Sequence, residues 1–271
     1  MSRDTRPLGL FDSGLGGLTV VRALLDLVPE ERLVYFGDTG RFPYGPKPAE
    51  DVLKYSVEIA DVLCERDVKM IVVACNSASA AALDHLRDTL SIPVTGVIEP
   101  GLRAAQRVTQ TGRVGVIGTV GTIASGAYQR AAAEIDASLD VTCAACPGFV
   151  EFVEAGDVES DQVHVLAERL LAPVRAARVD TLVLGCTHYP LLARTIADVM
   201  GPDVVLVSSA EETAFEIRAA LGSDAIAPRT PLPPPDERAH FLTTGDVETF
   251  RRLGTRFCGP EVNAVEAWSW S

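Results

Sequence analysis

The sequence has no excess of positive charge, no apolar run long enough to cross a bilayer and no dense cysteine framework. Each absence removes a class of function. Of 271 residues, 24 are Lys or Arg and 37 Asp or Glu, a net charge of −13. That balance argues against a general nucleic-acid or anionic-membrane surface, which needs clustered cations. A small acidic substrate must then be held by local donors and helix ends, against the field of the whole chain. Met1 to Pro7 lacks the apolar core of a secretory leader, so the chain is expected in the cytoplasm. The six cysteines, at 64, 75, 143, 146, 186 and 258, read as reduced thiols. Cys143-Ala-Ala-Cys146 has no second CxxC and no paired histidines beside it, so it reads as two small residues at a strand end, and no metal site is expected. Cys64 and Cys258 read as packing residues.

What is present is an apolar, globular composition, 47% hydrophobic and 23% charged, in a chain of a length for one large or two small domains. Two stretches stand out. Asp180-Thr-Leu-Val-Leu-Gly-Cys186-Thr187-His188 is a short apolar strand that ends in glycine and cysteine where a helix could begin. Lys69-Met-Ile-Val-Val-Ala-Cys75-Asn76-Ser77 has the same order.

Each cysteine is preceded by a polar turn at similar distance. Leu8 to Phe11 is a strand entering Asp12-Ser13-Gly14-Leu-Gly16-Gly17, and Arg113 to Ile117 is a strand entering Gly118-Thr119-Val-Gly121-Thr122. Both turns lead into helices, where backbone N–H groups can meet an anion. The glycines are misspaced for G-x-G-x-x-G, so a dinucleotide fold is disfavoured. The polar turn precedes its cysteine by 63 residues in one half (75 − 12) and 67 in the other (186 − 119). Similar order at similar spacing predicts two related α/β lobes, pseudo-symmetric, with mainly parallel sheets.

Between these landmarks the pattern predicts a strand at Leu33–Phe36 and a polar loop from Gly37 to Pro46. Helices are expected over about 49–66, 76–90, 162–178, 191–200 and 211–221, with strands near Val94, Leu139–Ala144 and Val204–Val207. Ala227–Pro235 is a proline-rich connector. His240–Thr244 reads as an edge strand and Asp246–Leu253 as a short helix. Trp268 and Trp270 are open between packing down and marking an interface.

A strand-end thiol at a helix start is a candidate nucleophile, because the helix N-terminus favours the thiolate. One such cysteine reads as a buried small residue. Two in matching positions of matching lobes point into one cleft from opposite sides. That is the arrangement for taking a proton off one face of a carbon and returning one to the other.

Phe11-Asp12-Ser13-Gly-Leu-Gly-Gly17, Asp38-Thr39 with Pro43-Tyr44-Gly45, Ala74-Cys75-Asn76-Ser77, Gly118-Thr119-Val-Gly-Thr122 and Gly185-Cys186-Thr187-His188-Tyr189-Pro190 resemble, in order, the motif set of the glutamate racemases. Ser77 stands where that family usually has Thr, and Gly40 where Ala is usual. The resemblance implies interconversion of L- and D-glutamate without pyridoxal phosphate or metal, supplying D-glutamate for peptidoglycan. It implies a cleft between two lobes, residues 1–97 with 211–271 forming one and 98–210 the other. Carried across residue by residue, Cys75 and Cys186 are the acid–base pair, assisted by Asp12 and His188. Asn76, Ser77 and Thr187 suit the α-carboxylate. Ser13, Pro43, Tyr44, Gly45, Thr119 and Thr122 are further substrate contacts. His85, His164 and His240 stay structural. The resemblance also implies a homodimer, and it extends to proteins that bind DNA gyrase.

Three other readings compete. A racemase of aspartate or another amino acid uses the same two thiols; a thiol hydrolase needs only Cys186 and His188; a non-catalytic amino-acid sensor binds without exchanging the α-proton.

Overall fold

The strands of the first half are mostly apolar, and all but the edge strand Val94–Gly96 are buried on both faces, as parallel strands between two helix layers must be. In the structure, a computed structural model describing residues 4–222 and 234–270, these are β1 (Leu8–Asp12), β2 (Leu33–Gly37), β3 (Met70–Val73) and β4 (Val94–Gly96). The second half contributes β5 (Arg113–Gly118), β6 (Asp140–Ala145), β7 (Thr181–Gly185) and β8 (Val205–Ser208), and the chain ends with β9 (Ala239–Thr243) and β10 (Val265–Ala267).

They form two sheets, in the orders β10-β9-β2-β1-β3-β4 and β6-β5-β7-β8. Every pairing is parallel. Alternate residues face opposite layers. Leu8 and Leu10 pack under the helices Leu18–Leu27 and Val247–Cys258, whereas Phe11 and Ile71 pack under Ala49–Glu65 and Asn76–Thr89. In the second sheet Leu182 and Leu184 face one layer, and Val114, Val116 and Val183 the other.

The first four strands of each half take the same order, second-first-third-fourth. In such sheets the chain leaves the first strand to one side and returns on the other, opening a crevice at the carboxyl ends of the first and third strands. Asp12 ends β1 and Cys75 follows β3; Thr119 follows β5 and Cys186 follows β7.

Several expectations change. The helix Ile98–Val108, which links the sheets, has no counterpart in the sequence reading because Pro100 and Gly101 look like breakers. Both lie in its first turns, where proline lacks only an N–H that would be orphaned anyway. The helix expected over 162–178 is two, Asp161–Leu170 and Ala172–Ala176, parted near Pro173. β9 is no edge strand: it lies between β2 and β10. Cys64 is exposed rather than packed, while Cys258 is buried. Trp268 and Trp270 pack down on Phe36, with ring centroids 6.1 and 5.5 Å away. The proline-rich run, but for its last two residues, lies outside the described residues. No helix among the described residues is long and apolar enough to cross a membrane.

Candidate active site

Ala74 and Gly185 are small residues at strand ends, and the cysteine after each emerges into the space between the two sheets. Cys75 and Cys186 line one narrow cavity with Ser13, Phe42, Pro43, Tyr44, Gly45, Asn76, Ser77, Thr119, Val150, Thr187 and His188. Its free volume is about 20 Å³, room for about one water.

Glycines let the lobes close on each other. A Cβ on Gly16 would lie 2.2 Å from Thr187 Oγ1 and 2.5 Å from His188 Nδ1, so only glycine admits the second lobe there. On the other side of the cleft the Gly121 N–H donates to the Gly45 carbonyl at 2.9 Å. The hydroxyl of Ser77 meets those of Thr119 and Thr122 at 3.0 and 3.2 Å, and these two lie 2.9 Å apart.

The two thiols have different neighbours. Cys75 is the N-cap of the helix Asn76–Thr89: its Sγ accepts the Ala78 N–H at 3.5 Å and faces the Ser13 hydroxyl at 3.8 Å. Burial, with the nearby Asp12 carboxylate, nevertheless pushes Cys75 up to about 12. This corrects the expectation of a thiolate at the helix start: desolvation shifts a buried group by several pKa units, and a helix dipole supplies less than about 1 kcal/mol in most settings. Cys75 is a thiol in this state.

Cys186 is followed not by an α-helix but by a 3-10 turn, Tyr189–Leu192. Its Sγ faces His188 Nδ1 at 3.9 Å, while His188 Nε2 lies 2.9 Å from Glu154. Burial opposes the charged ring, but Cys186, Glu154 and the charge on Asp12 outweigh it and push His188 up to about 10. The imidazolium also lies against the rings of Phe42 and Phe257, at 5.9 and 5.7 Å.

Asp12 lies beneath the cavity wall. It accepts the Gly14 N–H at 2.8 Å and the Thr187 hydroxyl at 3.3 Å, and burial raises its pKa. Thr122 is also fully buried, behind Thr119. The Tyr44 hydroxyl donates to Asp38, and its ring packs on Tyr55 with centroids 5.7 Å apart, so the hydroxyl is already engaged within the protein. Asn76 accepts from Tyr128 at 2.7 Å through Oδ1, and its buried Nδ2 has no partner in the protein. That amide is a donor awaiting an acceptor.

Glu154, Tyr128, Phe42 and Val150 belong to the site and are absent from the sequence reading. The amphipathic run around Phe149 was the available signal for Glu154 and Val150, and the aromatic loop for Phe42. Cys143 and Cys146, raised by burial to about 11 and about 12, are not in the cavity wall. No cluster of three or more metal-ligating side chains occurs among the described residues.

The family described as Asp/Glu/Hydantoin racemase matches residues 16–216. A glutamate racemase of Parafrankia sp. is 52% identical over 96% of this chain and 93% of its own length. The chain belongs to the glutamate racemases. It is an isomerase, an amino-acid racemase. Among solved structures, a glutamate racemase isoform of Bacillus anthracis has a TM-score of 0.90 at 41% identity, covering 98% of this chain and 97% of that one. The enzyme is equally similar in fold to the glutamate racemase of Francisella tularensis solved in complex with D-glutamate, with a TM-score of 0.90, 33% identity and 98% of both chains covered.

Proposed function

We propose that Cys75 and Cys186 interconvert L- and D-glutamate as a two-base pair, one removing the α-proton and the other delivering a proton to the opposite face. The observation that carries this reading is that both thiols line a single cavity from different sheets. Their neighbours differ: burial and the Asp12 charge push the Cys75 thiol up to about 12, whereas Cys186 faces the His188 ring at 3.9 Å. By family analogy Cys186 is the base for L-glutamate and Cys75 the base for D-glutamate.

Removing the α-proton adds negative charge beside a carboxylate, which only aligned donors can stabilise in the protein. Asn76 Nδ2 suits that task, with Ser77 and Thr187 beside it. Asp12 and His188 assist proton movement at Cys75 and Cys186. Residues 1–97 with 211–271 form one lobe and 98–210 the other, and they part to admit glutamate. The cellular role we infer is supply of D-glutamate for peptidoglycan in the cytoplasm.

The test is proton NMR of the protein with L-glutamate in D₂O, with circular dichroism of the same sample. Loss of the α-proton signal and decay of optical activity to zero are expected. A persistent α-proton in the presence of folded protein would sink the two-base reading.

A further inference from the structure

The segment from Asp38 to Gly45 supplies much of the cavity wall but contains only one turn of 3-10 helix, Thr39–Arg41. Side chains hold it in place. Asp38, fully buried, accepts from the Tyr44 hydroxyl, from Arg41 Nε at 2.7 Å and from the Thr244 hydroxyl at 2.8 Å. Arg41 Nη1 pairs with Glu58 at 2.5 Å. The guanidinium lies over the rings of both Tyr55 and Trp270, each 4.1 Å away. Its Nη2 is buried with no hydrogen-bond partner in the protein, so the ring faces are what stabilise that side of the cation. Trp270 is held in turn by Phe36 and Trp268, and the backbone N–H of Trp268 is anchored on the Thr243 carbonyl at 2.7 Å.

A continuous set of contacts therefore runs from the last described residue of the chain to the substrate cavity. We propose that Arg41, clamped by Trp270, is a positioning residue that holds the Phe42–Gly45 wall against the substrate, so that Trp270 tunes substrate binding. The inference rests on reading the cavity as the glutamate site. Both thiols stand on other elements, after β3 and β7. Loosening Arg41 thus moves a wall of the site and leaves the acid–base pair in place, which raises KM rather than lowering kcat.

The experiment measures KM, kcat and melting temperature for the unmodified protein, Trp270→Ala, Trp270→Phe and Arg41→Lys with L-glutamate. Trp270→Ala and Arg41→Lys are expected to raise KM about tenfold with kcat within about twofold. Trp270→Phe, which keeps a ring over the guanidinium, is expected to restore KM to within about twofold of the unmodified value. An unchanged KM in Trp270→Ala, or a lowered melting temperature with KM intact, overturns the proposal. Should Trp270→Ala not fold, Arg41→Lys decides by the same split. Absence of turnover by the unmodified protein overturns the reading of the cavity itself, and this inference with it.

Discussion

The Thr187 hydroxyl donates to the Asp12 carboxylate across the cleft at 3.3 Å, joining residues 175 positions apart in the chain. One carboxylate under the β1 turn thereby touches the residue next to Cys186 while its charge acts on Cys75. The two thiols share this neighbouring group, so changes at it should be felt on both sides.

Asp12 has its pKa raised, chiefly by burial. A raised carboxyl pKa means that the folded state binds the proton more tightly than the unfolded chain, so ionised Asp12 costs stability near neutral pH and the cost fades as pH falls. Asp12→Asn is expected to raise the melting temperature at pH 7 by about 2–4 °C, worth roughly 1 kcal/mol in a chain of this size. Racemisation should fall, and the stability gain should shrink toward acid pH. Calorimetry at pH 7 and pH 4 checks both signs.

Glu154 is one of the groups that push His188 up to about 10. For a histidine with a raised folded-state pKa, the stabilisation is full below the ordinary value of 6.5 and is lost as pH rises towards about 10. Glu154→Gln should therefore lower the melting temperature more at pH 6 than at pH 10. It should also move the His188 ring titration, followed by NMR, to lower pH.

On the proposed mechanism each thiol serves one face of the substrate. Cys75→Ala and Cys186→Ala should each reduce racemisation by about 10³-fold or more, the contribution expected of a positioned acid or base. Circular dichroism starting from either enantiomer measures it, and near-normal rates in either variant would contradict the mechanism.

Gly16→Ala places a methyl group within 2.2 Å of Thr187 Oγ1. The backbone there is outside the left-handed region, so the fold should survive while the lobes fail to close. A displacement of about 1 Å at the reacting groups can cost about 10²-fold in rate. The expected result is that loss in kcat/KM with a melting temperature close to that of the unmodified protein, measured by steady-state kinetics and thermal denaturation.

The strands, the two cysteines and the paired turns were legible because apolar runs, glycines and strand-end positions are local signals. What escaped was set by distance or surroundings. Glu154 and Glu151 share one short helix, and nothing local marks which acid meets His188, 34 residues on. Tyr128 binds Asn76 from the other half of the chain. The position of Cys75 at a helix start could be read, but not that desolvation outweighs that helix start and raises its pKa. The helix Ile98–Val108 was hidden because proline and glycine break helix interiors and are harmless at a start.

The strand order shared by the two sheets has a stereochemical consequence. A protein built only from L-residues is chiral everywhere, yet an enzyme whose two products are mirror images has to accept both. Two halves of like topology, meeting at the carboxyl ends of their strands, each bring one thiol to the shared cavity. Handedness is thereby offset by repetition of a fold, while the unlike companions of the thiols, Ser13 beside Cys75 and His188 beside Cys186, keep the two sides distinct. Those companions can make the forward and reverse turnover rates differ, while the equilibrium between the enantiomers stays at one.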